Sequence, residues 1–133
     1  MNQAITQIKF GMNEVVTQNA QTRRTLFFAT ISEKWVSSLL SLMETCHQID
    51  PTESNVWNLK EDSVPAIKAI LAGIMDSPKT ITPLMVDYIE SHLSKDQQSV
   101  ELQKAISFVS EELPSYDDRT VGNMEATVRA YFL

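Results

Sequence analysis

The chain of 133 residues has one cysteine, three glycines and two histidines, and basic residues are few. A single thiol, Cys46, excludes an intrachain disulfide. With so little glycine there is no glycine-rich loop to cradle a phosphate, and neither a Walker nor a dinucleotide pattern occurs. No stretch approaches the ~20 apolar residues of a membrane span. The first residues lack the basic start and apolar run of a signal peptide. The expected location is therefore the cytoplasm, with export by a route that leaves no Sec signal as the alternative. Lysine and arginine number 11 against 17 acidic residues, a net charge of −6, and Arg23-Arg24 is the one adjacent basic pair. Binding to a phosphate backbone needs clustered Lys and Arg, so no nucleic-acid partner is expected. The first 49 residues carry Lys9, Arg23, Arg24 and Lys34 against Glu14, Glu33 and Glu44, a net of +1. The negative charge thus lies in residues 50–133, scattered rather than arrayed, as on a solvated surface.

Sustained strand-like alternation is also missing, and apolar residues cluster at helical spacing throughout. The longest such stretch is 22–50. Phe28, Ile31, Trp35, Leu39, Leu42, Cys46 and Ile49 fall three and four apart, on one helical face. Phe27, Val36, Leu40 and Met43 widen that face beyond half the circumference. Thr30, Glu33, Lys34, Ser37, Ser41, Glu44 and Gln48 share the remaining polar strip, while Ser32 and Ser38 offer places for close helix approach. A helix on a surface needs an apolar stripe of only ~100°, so this one must be covered from several sides. The expected fold is all-α, a single-domain bundle of five to seven helices around a long central helix over about 22–49. Asp50-Pro51 ends that helix, because proline pushes the preceding residue out of the α region.

A narrower stripe precedes it: Ile5, Ile8, Met12, Val15 and Val16. Continued as one helix, its centre would lie roughly 170° from the central stripe. A break over Thr17–Thr22 is therefore expected, with one long helix reaching into another subunit as the alternative. On either reading residues 1–21 form an N-terminal arm or interface helix, and the stripe is the preferred contact surface. This segment is rich in Asn, Gln and Thr. In composition it is similar to the N-terminal export signals of type III secreted proteins, which would imply a secreted virulence or virion component.

After Asp50 the punctuation is dense. Asp50-Pro51-Thr52-Glu53 reads as a capping box opening a short helix to about Leu59, where Trp57 is either a core plug or an interface anchor. Ser63-Val64-Pro65 opens the next, with Val64, Ile67, Ile70, Leu71, Ile74 and Met75 buried, Gly73 admitting a neighbour, and Asp76-Ser77-Pro78 as its end. Thr82-Pro83 reads as a further start, for a helix burying Leu84, Met85, Tyr88, Ile89 and Leu93. Asp96 is expected to cap a helix with Val100, Leu102, Ile106, Val109 and Leu113, which Pro114 stops. Asp117 or Asp118 caps a last helix carrying Val121, Met124, Val128, Tyr131 and Leu133, with the C-terminus packed.

Chemistry finds little support. Glu44 and His47 have the Glu-x-x-His spacing of di-metal bundles, which would make a helical metal enzyme. Such a site needs a second motif, and the residue three before His92 is Ile89. Cys46 and His47 are adjacent, so on a helix they diverge by about 100°. Glu111-Glu112 and Asp117-Asp118 read as charged helix ends. No cofactor and no metal is expected. The function expected is a non-enzymatic protein–protein interaction module (adaptor, regulatory or assembly protein) that associates with a protein partner or with itself, a homo-oligomer, through Ile5, Ile8, Met12, Val15, Val16 and Trp57.

Overall fold

Neither proline nor glycine interrupts residues 23–49, and in the structure, a computed structural model, they form one helix of 27 residues. The structure describes residues 2–18, 23–52, 55–59 and 61–133, and of residues 2, 13–18 and 23–25 only the backbone. All regular structure among them is helical. In order come α1 (Asn2–Gln18), α2 (Arg23–Ile49), α3 (Val64–Asp76), α4 (Pro78–His92), a 3-10 turn (Lys95–Gln97) and α5 (Val100–Ser107). The α5 helix runs on through a π turn (Phe108–Glu112) and a last α turn (Leu113–Ser115), and α6 (Asp118–Tyr131) closes the bundle. This is the expected bundle around the expected central helix. Of the expected break over Thr17–Thr22, residues 17 and 18 belong to α1 and residues 19–22 lie outside the described ones.

The apolar arc of α2 is covered by α1, α4, α5 and α6, while α3 packs on α1 and α4. Trp35, Val36, Leu39, Leu40, Leu42 and Met43 are fully buried, and Cys46 lies among them. Burying each large side chain contributes roughly 1.5–3 kcal/mol. Ser32 allows the close approach its size suggests, for its hydroxyl donates to the Met124 carbonyl of α6 at 3.3 Å. Ser41, expected on the polar strip, is buried beneath α5 and donates to Glu101 at 3.1 Å.

The caps explain where most helices begin. Ser63 accepts from Ala66 N–H at 3.2 Å, Ser99 from Leu102 N–H at 3.1 Å, and Asp117 from Thr120 N–H at 2.7 Å. Five expectations from the sequence are corrected. Among the described residues of 51–59 there are turns and no helix: Asp50 accepts from both Thr52 N–H (2.9 Å) and Thr52 hydroxyl (2.7 Å), closing an Asx turn, and Glu53 lies outside the described residues. Helix α4 starts at Pro78, because the Ser77 carbonyl already receives Thr80 and Ile81 N–H, so Pro83 stands inside the helix and Thr82 is buried rather than capping. Ser99, not Asp96, caps α5, whose buried face is Leu102, Ala105, Phe108 and Val109; Val100, two residues before Leu102, lies about 160° round the helix from it and is exposed. Around Gly73 a Cβ would meet open space, so no helix approaches there. Leu84 and Tyr131 are exposed as well, and it is Phe132 that plugs the core at the C-terminus.

Placement of α1 in the core carries a direct test. Ile5→Ala should cost about 2–5 kcal/mol in urea unfolding; a change within ~0.5 kcal/mol would contradict the packing described here.

Candidate functional site

Four of the six residues expected to form an interface are described with their side chains. Ile5, Ile8 and Met12 are buried in the common core, as is Trp57. Helix α1 is held there by more than its stripe: Ala4 N–H donates to Asp62 at 3.3 Å, just before α3. In the folded chain Ile5, Ile8 and Met12 thus face their own bundle. The side chains of Val15 and Val16 lie outside the described residues. Phe10, on the other side of α1, is the residue left outward, 72% exposed.

Glu44 and His47 are half-buried near the end of α2, beside buried Cys46. Nδ1 of His47 is buried without a hydrogen-bond partner. His92 is exposed and turned back on its own helix, its Nδ1 2.8 Å from the Tyr88 carbonyl and its ring 4.6 Å from the Tyr88 ring. Among the described residues no three His, Cys, Asp or Glu side chains gather into a metal site.

Two carboxylates organise the polar surface instead. Oε1 of Glu101 on α5 accepts from Lys9 of α1 at 2.7 Å and from Ser41 of α2 at 3.1 Å, so one oxygen ties three helices together. Glu112 on the π turn accepts from Lys34 at 2.7 Å and from the Tyr116 hydroxyl at 3.0 Å. The Lys34 ammonium also stands 5.4 Å from the centre of the Phe108 ring. The Lys9 hydrogen bond, then its charge, hold the Glu101 carboxyl below its ordinary value of 4.5. Lys34 does the same for Glu112. Burial followed by the Glu112 bond pushes the Tyr116 hydroxyl up from its ordinary 10.0. Between these two carboxylates a groove of about 390 Å³ runs along α2 and α5, lined by Thr30, Ser37, Ser38 and Ser41 with charged Glu33 and Lys104.

The feature that sequence reasoning missed lies at the start of α2. Phe27 was expected to widen the apolar face of α2 and is instead exposed by 46%, as is its neighbour Leu26. Phe27 packs edge-on against Phe28 at 5.1 Å, and Phe28 in turn packs on the core. Leu26, Phe27, Thr30, Ile31, Lys34 and Glu112 line an open groove of about 470 Å³, apolar at its base and closed at one end by the Lys34–Glu112 ion pair. One signal was present: two consecutive phenylalanines on a helix diverge by about 100°, so both can be deeply buried only where the helix is covered on two sides, and α2 is less covered at its start than at its middle.

Comparison with protein families, with curated proteins and with solved structures gives no match.

The Glu101 clamp makes a pH-dependent contribution of definite sign. A carboxyl whose folded value is depressed adds stability above its unfolded value and loses it as pH falls through the folded one. In urea unfolding between about pH 3 and 6, wild type should lose more stability on acidification than Glu101→Gln. Parallel curves would show that Lys9 and Ser41 do not act on that carboxylate.

Proposed function

We propose that this chain is a non-enzymatic protein–protein interaction module, an adaptor, regulatory or assembly protein, which receives an apolar helical segment of a partner protein in the groove at the start of α2. The observation that carries this reading is the exposure of Leu26 and Phe27 over Ile31 on a helix whose middle is wholly buried. Large apolar and aromatic side chains that could have been tucked away, yet stand at the surface beside a groove, are the usual anchors of an interface. Residues 27, 30, 31 and 34 repeat three and four apart, so the groove follows two helical turns and suits a partner laid alongside, as in helix-in-groove recognition. Lys34 and Glu112 at its end offer one charge of each sign to fix the direction of the guest.

The reading is tested with a photo-crosslinking residue at position 27, and at exposed Leu84 as control, in cells that make the protein. A discrete crosslinked product should form from position 27 alone and vanish when Leu26→Asp is added, while that change moves stability by no more than ~0.5 kcal/mol. A product of twice the chain mass would identify the partner as a second copy. Equal crosslinking from both positions, or none from position 27, would overturn the proposal.

A further inference from the structure

A second cleft, of about 320 Å³, opens between the beginning of α4, the π turn and the beginning of α6. Three departures from regular helix meet on its wall. Pro83 stands inside α4, Val109 belongs to the π turn, and Pro114 lies in the turn that follows. Proline has no N–H, so Pro83 gives nothing to the Lys79 carbonyl four residues back. In the π turn the bonding moves out by one residue, with Leu113 N–H donating to the Phe108 carbonyl. Such turns give up regular α bonding and recur at functional sites.

The rest of the wall is formed by Trp35, Pro78, Leu113, Val121 and Tyr116, whose hydroxyl donates to Glu112. Two of its residues hold buried polar atoms, Trp35 Nε1 and Thr82 Oγ1, that have no hydrogen-bond partner among the described residues. Elsewhere in the bundle, helical hydroxyls return to the carbonyl four residues earlier, as Ser38, Thr45 and Thr127 do. Thr82 does not. The only charges on the wall, Lys79 and Asp118, stand outward at the mouth and pair with each other at 3.7 Å, so the mouth is neutral overall.

We propose that this cleft binds a neutral, flat apolar molecule of one or two rings carrying a hydrogen-bond acceptor, which the Trp35 indole N–H and the Thr82 hydroxyl receive. The volume stands at the small end of the range of roughly 300–1,000 Å³ in which ligand pockets fall. Tryptophan and proline faces stack on flat rings, and an indole nitrogen donates but cannot accept, which fixes the polarity of the guest. Both polar atoms lie just behind the wall surface, so the guest engages them through a small shift of that wall. The π turn, already out of α register, is the element that yields. No residue is shared with the groove at the start of α2, so this site stands or falls independently of the partner proposed there.

Quinoline and naphthalene have the same shape and differ in one ring nitrogen, which makes them the probes. In ¹H–¹⁵N spectra at neutral pH, quinoline should move the Trp35 indole N–H resonance saturably, that peak being assigned with Trp57→Phe. Naphthalene should bind on the order of tenfold more weakly, and Thr82→Val should lose a similar factor for quinoline. Val121→Trp, which fills the cleft, should abolish binding, whereas Leu84→Trp at an exposed site outside it should leave binding unchanged. The proposal is overturned if the Trp35 resonance does not move, if the two probes bind equally, or if Val121→Trp binds quinoline as wild type does. Should Val121→Trp fail to fold, Thr82→Val decides: unchanged quinoline affinity overturns the proposal.

Discussion

The width of the apolar arc on α2 is the constraint from which the rest of the bundle follows. Trp35, Val36, Leu39, Leu40, Leu42 and Met43 run almost continuously along the helix and span more than one face, and all are fully buried. One packing partner cannot cover such a surface. Four helices do so, arriving from different parts of the chain. The remaining helix, α3, is held by α1 and α4 rather than standing as a principal neighbour of α2. Burial of α1 follows from the same need, since without Ile5, Ile8 and Met12 part of the core would face water.

Covering a helix this fully leaves little room for its polar residues, and the bundle handles them locally. Ser38 and Thr45 turn their hydroxyls onto carbonyls of α2 itself, and Ser41 reaches Glu101. Glu101 and Glu112 then pin the surrounding helices from outside with Lys9 and Lys34. Exposed ion pairs of this kind contribute little stability singly; their value here is registration, because one carboxylate oxygen joins α1, α2 and α5. Of the buried polar atoms without a partner among the described residues, Trp35 Nε1 and Thr82 Oγ1 belong to residues lining one cleft beside Pro83 and the π turn, whereas those of His47 and Trp57 lie elsewhere; sharing a cleft is why the first two attract a ligand reading.

The fold class, the central helix and the caps at Ser63 and Asp117 were legible in the sequence because each depends on local chemistry: apolar periodicity, or a side chain accepting from an N–H three residues on. Other elements depended on competition that the sequence does not display. Thr82-Pro83 has the form of a helix start, but the Ser77 carbonyl nucleates the helix one turn earlier, and packing of Met85, Val86 and Ile89 outweighs the ~3 kcal/mol a helical proline costs. Val100 was misplaced because, two residues before buried Leu102, it lies about 160° round the helix from it and is exposed. The candidate groove was illegible for a related reason. Helical spacing assigns Phe27 to the apolar side of α2, but whether a neighbour covers that end is a property of the assembled bundle. For the α1 stripe, too, helical spacing shows an apolar face but not what covers it; Ile5, Ile8 and Met12 are buried in the common core.

The middle of the molecule is committed to packing, and the two proposed recognition surfaces lie where that packing stops, at the start of α2 and at the irregular turn of α5. The claim on which everything rests is that α2 is the shared core element. Native-state hydrogen exchange tests it most directly. Amides from Trp35 to Cys46 should exchange only through global unfolding, with a free energy equal to that from urea denaturation, and should be the most protected in the chain. Exchange of these amides through local opening, at free energies below those of α4 or α6, would contradict it.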